Sequence, residues 1–145
     1  MKKPLVTWAL GALLASTASA QMTPVGHWHT IDDKTGETKS LVVITDNGGV
    51  LSGRIDKLLR KGADQNAVCD KCSDDRKDKP ILGMEIIRGA KKVDGKDVWE
   101  GGKVLDPESG TSYTLKLTPT DGGKKLDMRA SVFGIGRTQT WVRVQ

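Results

Sequence analysis

The chain has 145 residues, 28% of them charged, 37% hydrophobic and only 4% aromatic. That length suits one domain with a modest core. The formal net charge is +5, but Lys2 and Lys3 supply two of the 23 basic residues, so the rest of the chain carries +3 against 18 acidic residues. A surplus that small and evenly spread, with no basic run interleaved with aromatics, excludes a nucleic-acid platform.

The first twenty residues, MKKPLVTWALGALLASTASA, have the pattern of a secretory signal. Lys2 and Lys3 give the charged start, Leu5 to Ala15 the apolar run, and Ala18-Ser-Ala20 the cleavage site. About 20 unbroken apolar residues are needed to span a bilayer, and this run is shorter and ends in Ser16, Thr17 and Ser19. The sequence therefore predicts a periplasmic protein without a transmembrane segment, its single domain running from Gln21 to Gln145.

Val25 to Ile31 is the first predicted strand, followed by an Asp- and Gly-rich turn at Asp32 to Glu37. Thr38 to Thr45 follows, with Leu41 to Ile44 unbroken, a pattern that predicts cover on both faces. Asp46-Asn-Gly-Gly49 is a hairpin signal, and Val50 to Leu59 returns. A long irregular stretch, Gly62 to Pro80, interrupts the meander. Strands are then predicted at Ile81 to Arg88, at Asp97 to Leu105 with a bulge at Gly101-Gly102, at Thr111 to Thr118, from Leu126 to Val132 and from Arg137 to Val144. Turns fall at Val93 to Lys96, Asp106 to Gly110 and Asp121 to Gly123. Period-two patterning with turns every eight to twelve residues points to an all-β fold, either sandwich or barrel. A small antiparallel up-and-down barrel of about eight strands is preferred, because closure removes exposed edges.

Loops as long as Gly62 to Pro80 are usually functional or disordered, and this one holds Cys69 and Cys72. In an oxidising compartment a disulfide is their default state. A reactive C-x-x-C needs a stabilised thiolate, whereas Asp70, Asp74 and Asp75 crowd the pair and only Lys71 and Arg76 oppose them. A loop-clipping disulfide is favoured, with thiol exchange and metal binding as the alternatives. His27 and His29 share a strand face and with the cysteines would make a Cys₂His₂ set. Their spacing is not that of a zinc finger, and the preferred reading is surface histidines flanking a buried Trp28. Nothing in the sequence pairs the carboxylates Glu85, Glu100, Asp106 and Glu108. No nucleophile elbow or phosphate loop occurs. Neither an enzyme, a cofactor nor a metal is expected.

Gly26-His-Trp28 on the first strand and Trp141-Val-Arg143 on the last are similar to a lipocalin pattern in which an Arg packs across a Trp to close the barrel. The favourable contact there is an Arg plane over an indole, with donors left to cap carbonyls. A broader resemblance covers nearly the whole exported chain. Asp32-Asp33-x-Thr35-Gly36, Cys69-x-x-Cys72, Asp78-x-Pro80-Ile81-x-Gly83, Gly101-Gly102-Lys103-x-Leu105-Asp106-Pro107-x-x-Gly110-x-x-Tyr113 and Gly134-x-Gly136-Arg137-Thr138-Gln139-x-Trp141 resemble the bacterial family called domain of unknown function 2147. The resemblance implies an exported lipocalin- or calycin-like barrel that holds a small apolar ligand.

The alternating faces predict an apolar lining of Leu82, Met84, Ile86, Tyr113, Leu115, Leu117, Leu126 and Met128, with neither Phe nor Trp. That lining predicts a narrow cavity, open near the long loop, for a small apolar or amphipathic molecule whose head group meets Arg137 or Gln139. The alternative is a packed barrel that works through its outer surface as an envelope module. Export is checked by the intact mass of the periplasmic protein. Its chain should begin at Gln21, and an unprocessed cytoplasmic product would contradict the reading.

Overall fold

Alternating side chains need one dry face and one wet face, and eight such stretches satisfy that need by rolling into a single sheet. The computed structural model describes residues 2–7, 9, 11–12 and 22–145. The predicted cleavage after Ala20 and start at Gln21 lie outside the described residues. The strands are β1 (Gly26–Ile31), β2 (Thr38–Asn47), β3 (Val50–Leu58), β4 (Glu85–Lys92), β5 (Trp99–Asp106), β6 (Thr111–Thr120), β7 (Lys125–Val132) and β8 (Ile135–Arg143). They form a closed barrel in chain order, with β8 pairing back onto β1.

The up-and-down order sorts the connections between two ends. The β2–β3 hairpin, the β4–β5 turn and a 3₁₀ turn at Asp121–Gly123 lie at one end, beside the start of β1. The β1–β2 turn, the long loop, the β5–β6 turn and the β7–β8 hairpin lie at the other, hereafter the loop end.

The fourth strand differs from its sequence prediction of Ile81 to Arg88. Residues 81–84 form a turn in which the Met84 N–H donates to the Ile81 C=O at 3.0 Å. Gly83 sits at φ +84°, so Leu82-Gly83 fills the central positions of a turn that favours Gly second. The strand starts only at Glu85 and runs on to Lys92. Leu82 is therefore outside the barrel, 39% exposed. The pairing shifts between Gly53↔Ile87 and Arg54↔Glu85, leaving Ile86 as the extra residue of a bulge. That bulge explains why neighbours Ile86 and Ile87 are both buried.

The interior corrects a second expectation. Met84, Ile86, Leu115, Leu117, Leu126 and Met128 are buried and join one apolar cluster, but so do Trp28, Trp99 and Trp141. Trp99 pairs with Leu117, and Trp141 with Leu126, so both indoles share the face assigned to aliphatics alone. Their isolated positions, Trp99 beside a bulge and Trp141 in a polar strand, hid them. Each buried indole removes about 150–250 Å² from water, an upper-bound transfer gain of about 4–6 kcal/mol. Gly53 makes room for the buried Ile87 side chain, since a Cβ there would press on it at 3.0 Å.

Closure is uneven. β1 and β8 pair at Trp28↔Arg143 and His29↔Val142, with the Val144 N–H just beyond β8 donating to the His27 C=O at 2.9 Å, whereas β7 pairs with β8 along its full length from Lys125↔Val142 to Val132↔Ile135. The Arg143 N–H donates to the Lys124 C=O at 2.9 Å. Because antiparallel pairing alternates, Gln139 and Arg137 turn their main-chain groups to β7, while Thr138 and Thr140 turn theirs to the side that β1 has left. The barrel is tight at one end and has an open seam toward the loop end.

Candidate functional site

The tight end is built around Trp28, which is fully buried and donates its indole N–H to the Pro24 C=O at 2.7 Å. The Arg143 guanidinium lies 4.2 Å from the centre of the indole ring. Its Nε donates to the Gly123 C=O at 2.7 Å, Nη1 to the Val25 C=O at 2.8 Å and Nη2 to the Thr23 C=O at 2.6 Å. One side chain thus ties the entry of β1 and the 3₁₀ turn to the last strand. Burial lowers the Arg143 pKa below its ordinary value. Gly26 stands at φ +137°, and a Cβ there would run into the Arg143 Nη1. Both facts restrict the position to Gly.

The loop end has a different chemistry. Residues 59–84 fold back on themselves: the Cys69 N–H donates to the Lys79 C=O at 2.9 Å, and the Asp78 N–H to the Cys69 C=O at 2.8 Å. Cys69 and Cys72 form a disulfide, and both are buried in the apolar cluster. Closing so small a ring removes only about 2 kcal/mol of chain entropy from the unfolded state, so its effect is local shape. Burial also denies an attacking thiolate the access that disulfide exchange requires. Gly110, at φ +72°, allows the Lys71 carbonyl to press against the β5–β6 turn where any Cβ would collide. Arg76, itself buried, holds the Glu85 C=O at 2.9 Å and the Asp74 carboxylate. That Arg76 side chain and its N–H keep the Asp74 carboxyl at a pKa of about 2. Arg88 grips Asp75 through two 2.9 Å bonds, so the Asp75 carboxyl also stays below its usual range.

Polar side chains of β8 line the inward side of the seam. Trp141 donates its indole N–H to the Gln139 Oε1 at 3.3 Å, and the Gln139 amide reaches Asp33 of the β1–β2 turn at 3.5 Å. Arg137 lies opposite Ala130 and Gln139 opposite Met128, which puts both on the inward-facing side of β8. Arg137 is exposed, and Gln139, Ala130 and Tyr113 are half-buried. Thr30 and Ser40 satisfy each other inside the barrel at 2.7 Å. Of the sequence-predicted pocket, Tyr113 and Arg137 lie toward the loop end, Met128 pairs with both Gln139 and Leu117, Leu117 also with Trp99, and Leu126 with Trp141. Leu82 instead lines a separate outer pocket of about 390 Å³ with Arg54, Arg76, Lys79 and Arg88.

The remaining candidates are dispersed. His27 is exposed and His29 half-buried, and among the described residues no group of three His, Cys, Asp or Glu is placed to hold a metal. Glu85 is engaged by Arg54 and Arg88. Asp106 caps its own turn through the Glu108 N–H and the Ser109 hydroxyl, and Glu108 faces Lys39 and Arg60. The β7–β8 hairpin tip falls between the predicted strands ending at Val132 and starting at Arg137, and β8 begins two residues earlier, at Ile135. Phe133 sits at φ +53° beside Gly134 at +77°, so an aromatic fills a turn position that normally takes Asn, Asp or Gly. Left-handed backbone of this kind costs a non-Gly residue roughly 1–2 kcal/mol.

An all-antiparallel eight-stranded barrel, closed in chain order with an arginine over a tryptophan, is a lipocalin-like architecture. The chain belongs to the family described as "Uncharacterized protein conserved in bacteria (DUF2147)", whose model matches residues 26–143. It is similar in structure to protein HP1028 from Helicobacter pylori, described as belonging to the lipocalin family. That match has a TM-score of 0.72 at 17% identity and covers 87% of this chain and 84% of that one. Comparison with curated proteins gives no match.

The closing contact predicts a large response to truncation. Arg143→Ala strands three carbonyls and bares an indole face, so it should cost roughly 1–3 kcal/mol, or about 4 °C of Tm for each kcal/mol. Arg143→Lys should recover little of this, because one ammonium cannot reproduce the planar fork. Thermal melts followed by tryptophan emission check both variants, and an Arg143→Ala melt matching the parent would contradict the closure.

Proposed function

We propose that this protein is an exported, non-enzymatic barrel that binds a small amphipathic molecule at its loop end. The observation that carries the reading is the seam. Where β1 stops pairing with β8, the inward face of β8 presents Arg137 and Gln139 beside Ala130 and Met128. Apolar groups with one cation and one amide at the rim suit a short acyl tail with an anionic or polar head. The three indoles fill the deeper barrel, so the ligand occupies the mouth rather than a long axial cavity. Three carboxylates are tuned away from acid catalysis. Asp32, Asp74 and Asp75 are all shifted downward by hydrogen-bond donors, the opposite of what a general acid needs at neutral pH.

The indoles also support the second reading, a barrel packed throughout that acts through its outer surface. One titration separates the two. An environment-sensitive fatty-acid probe should bind the parent saturably, Arg137→Ala should weaken it roughly tenfold, and Ala130→Trp should fill the mouth and abolish binding. Failure of the parent to bind, or equal binding by Ala130→Trp, would leave the packed-surface reading.

A further inference from the structure

The β7–β8 hairpin has a property that neither barrel closure nor ligand binding requires. Its tip presents Val132, Phe133 and Ile135 to solvent, with Phe133 100% exposed and Ile135 82% exposed. Isolated apolar residues on a surface are ordinary, but three within four positions at a protruding tip form a patch. Phe133 is also held in a left-handed conformation for which Asn would be the relaxed choice. Folding alone gains nothing from a fully exposed aromatic there, so its side chain points to a use outside the barrel.

The flanking charge indicates which surface it meets. Arg129 lies beneath the tip and reaches the Gly134 C=O at 3.5 Å, and Arg137 stands on the opposite face of the same hairpin, paired with Ala130. These cations lie two to four residues from the apolar tip, roughly 7–14 Å at the rise of an extended strand. Arg129 continues into a shallow pocket of about 490 Å³ on the outer face of β4 to β7, lined also by Lys91, Lys92 and Lys116 with Glu100 as its one carboxylate. Lys116 and Arg129 are directly opposed in register, a like-charge pairing that disfavours the isolated sheet. Of the carboxylates that touch β8, Asp33 contacts Gln139 and Asp127 contacts Thr140, farther down the arm. An aromatic tip with aliphatic flanks and a cationic collar matches the boundary between acyl chains and anionic headgroups. There apolar groups sink about 5–10 Å and basic groups stay with the phosphates.

We infer that the β7–β8 hairpin is a membrane-docking element, in which Phe133 and Ile135 enter the interfacial region of a bilayer and Arg129, Arg137 and the Lys116 pocket engage anionic headgroups. This goes beyond the ligand-binding reading and shares only Arg137 with it, so Phe133 and Arg129 test it separately. The test is flotation of the protein recovered from an exporting host with two sorts of vesicle, pure phosphatidylcholine and phosphatidylcholine mixed with phosphatidylglycerol. The parent should float with the mixed vesicles, and rising salt should release it. Phe133→Asn is the decisive variant, because it relieves the backbone and should raise the Tm while weakening vesicle affinity about tenfold. Arg129→Gln and Arg137→Gln should each weaken it about fivefold. A parent that stays in solution with both vesicles, parent flotation that is equal with pure phosphatidylcholine, or Phe133→Asn floating as well as the parent would each overturn the assignment. A tip serving instead as a plug for a protein partner would give the first of these results.

Discussion

The guanidinium of Arg143 lies 4.2 Å over the Trp28 ring and directs its donors to three carbonyls from two separate segments. The remaining order of the barrel depends on this contact. A sheet of eight antiparallel strands has two free edges until the last strand finds the first, and here the two pair at only two register positions. Hydrogen bonding along so short a seam is weak closure. The side chain supplies the rest, pinning the entry of β1 and the 3₁₀ turn to β8 while covering an indole that would otherwise meet water. Gly26 is part of the same constraint, since any side chain there would occupy the space of the guanidinium.

Concentrating closure at one end leaves freedom at the other. Beyond His29 and Val142 the first and last strands separate, and the Asp33–Gln139–Trp141 chain is the link that crosses the gap. The long loop packs over the opposite side of the same end, clamped by Gly110 and by buried Arg76. The disulfide shapes this clamp locally and adds little to global stability. A barrel pinned at its base and unpaired along one seam would admit the proposed ligand without unfolding, since local opening draws on the least stable pairing. Its outer hairpin extends from that mouth, so a membrane-docked tip and a ligand entrance would lie on neighbouring parts of the molecule.

Much of the architecture was legible in the sequence because period-two alternation and Asn-, Gly- and Asp-rich turns are local signals. Seven of the eight strands follow from them with small boundary changes. The fourth did not, because Leu82 and Met84 alternate as a strand would, while Gly83 marks a turn whose handedness appears only once Ile55 and Ile81 supply its partners. The Gly26-x-Trp28 and Arg143 contact could be anticipated because both ends of the interaction carry distinctive residues. The interior could not be, since Trp99 and Trp141 reach it through bulges and register, which depend on pairing between strands distant in sequence. The seam was hidden for the same reason: Arg137 to Thr140 alternates normally, and only the early end of β1 leaves its edge unpaired.

Amide hydrogen exchange along β8 reads out that unpaired edge residue by residue. Arg137 and Gln139, bonded to β7, and Val142, bonded to β1, should exchange slowly, while Thr138 and Thr140 between them should exchange faster by orders of magnitude. Protection of Thr138 and Thr140 equal to that of Val142 would mean that the barrel is sealed along its whole length, and would contradict an open seam.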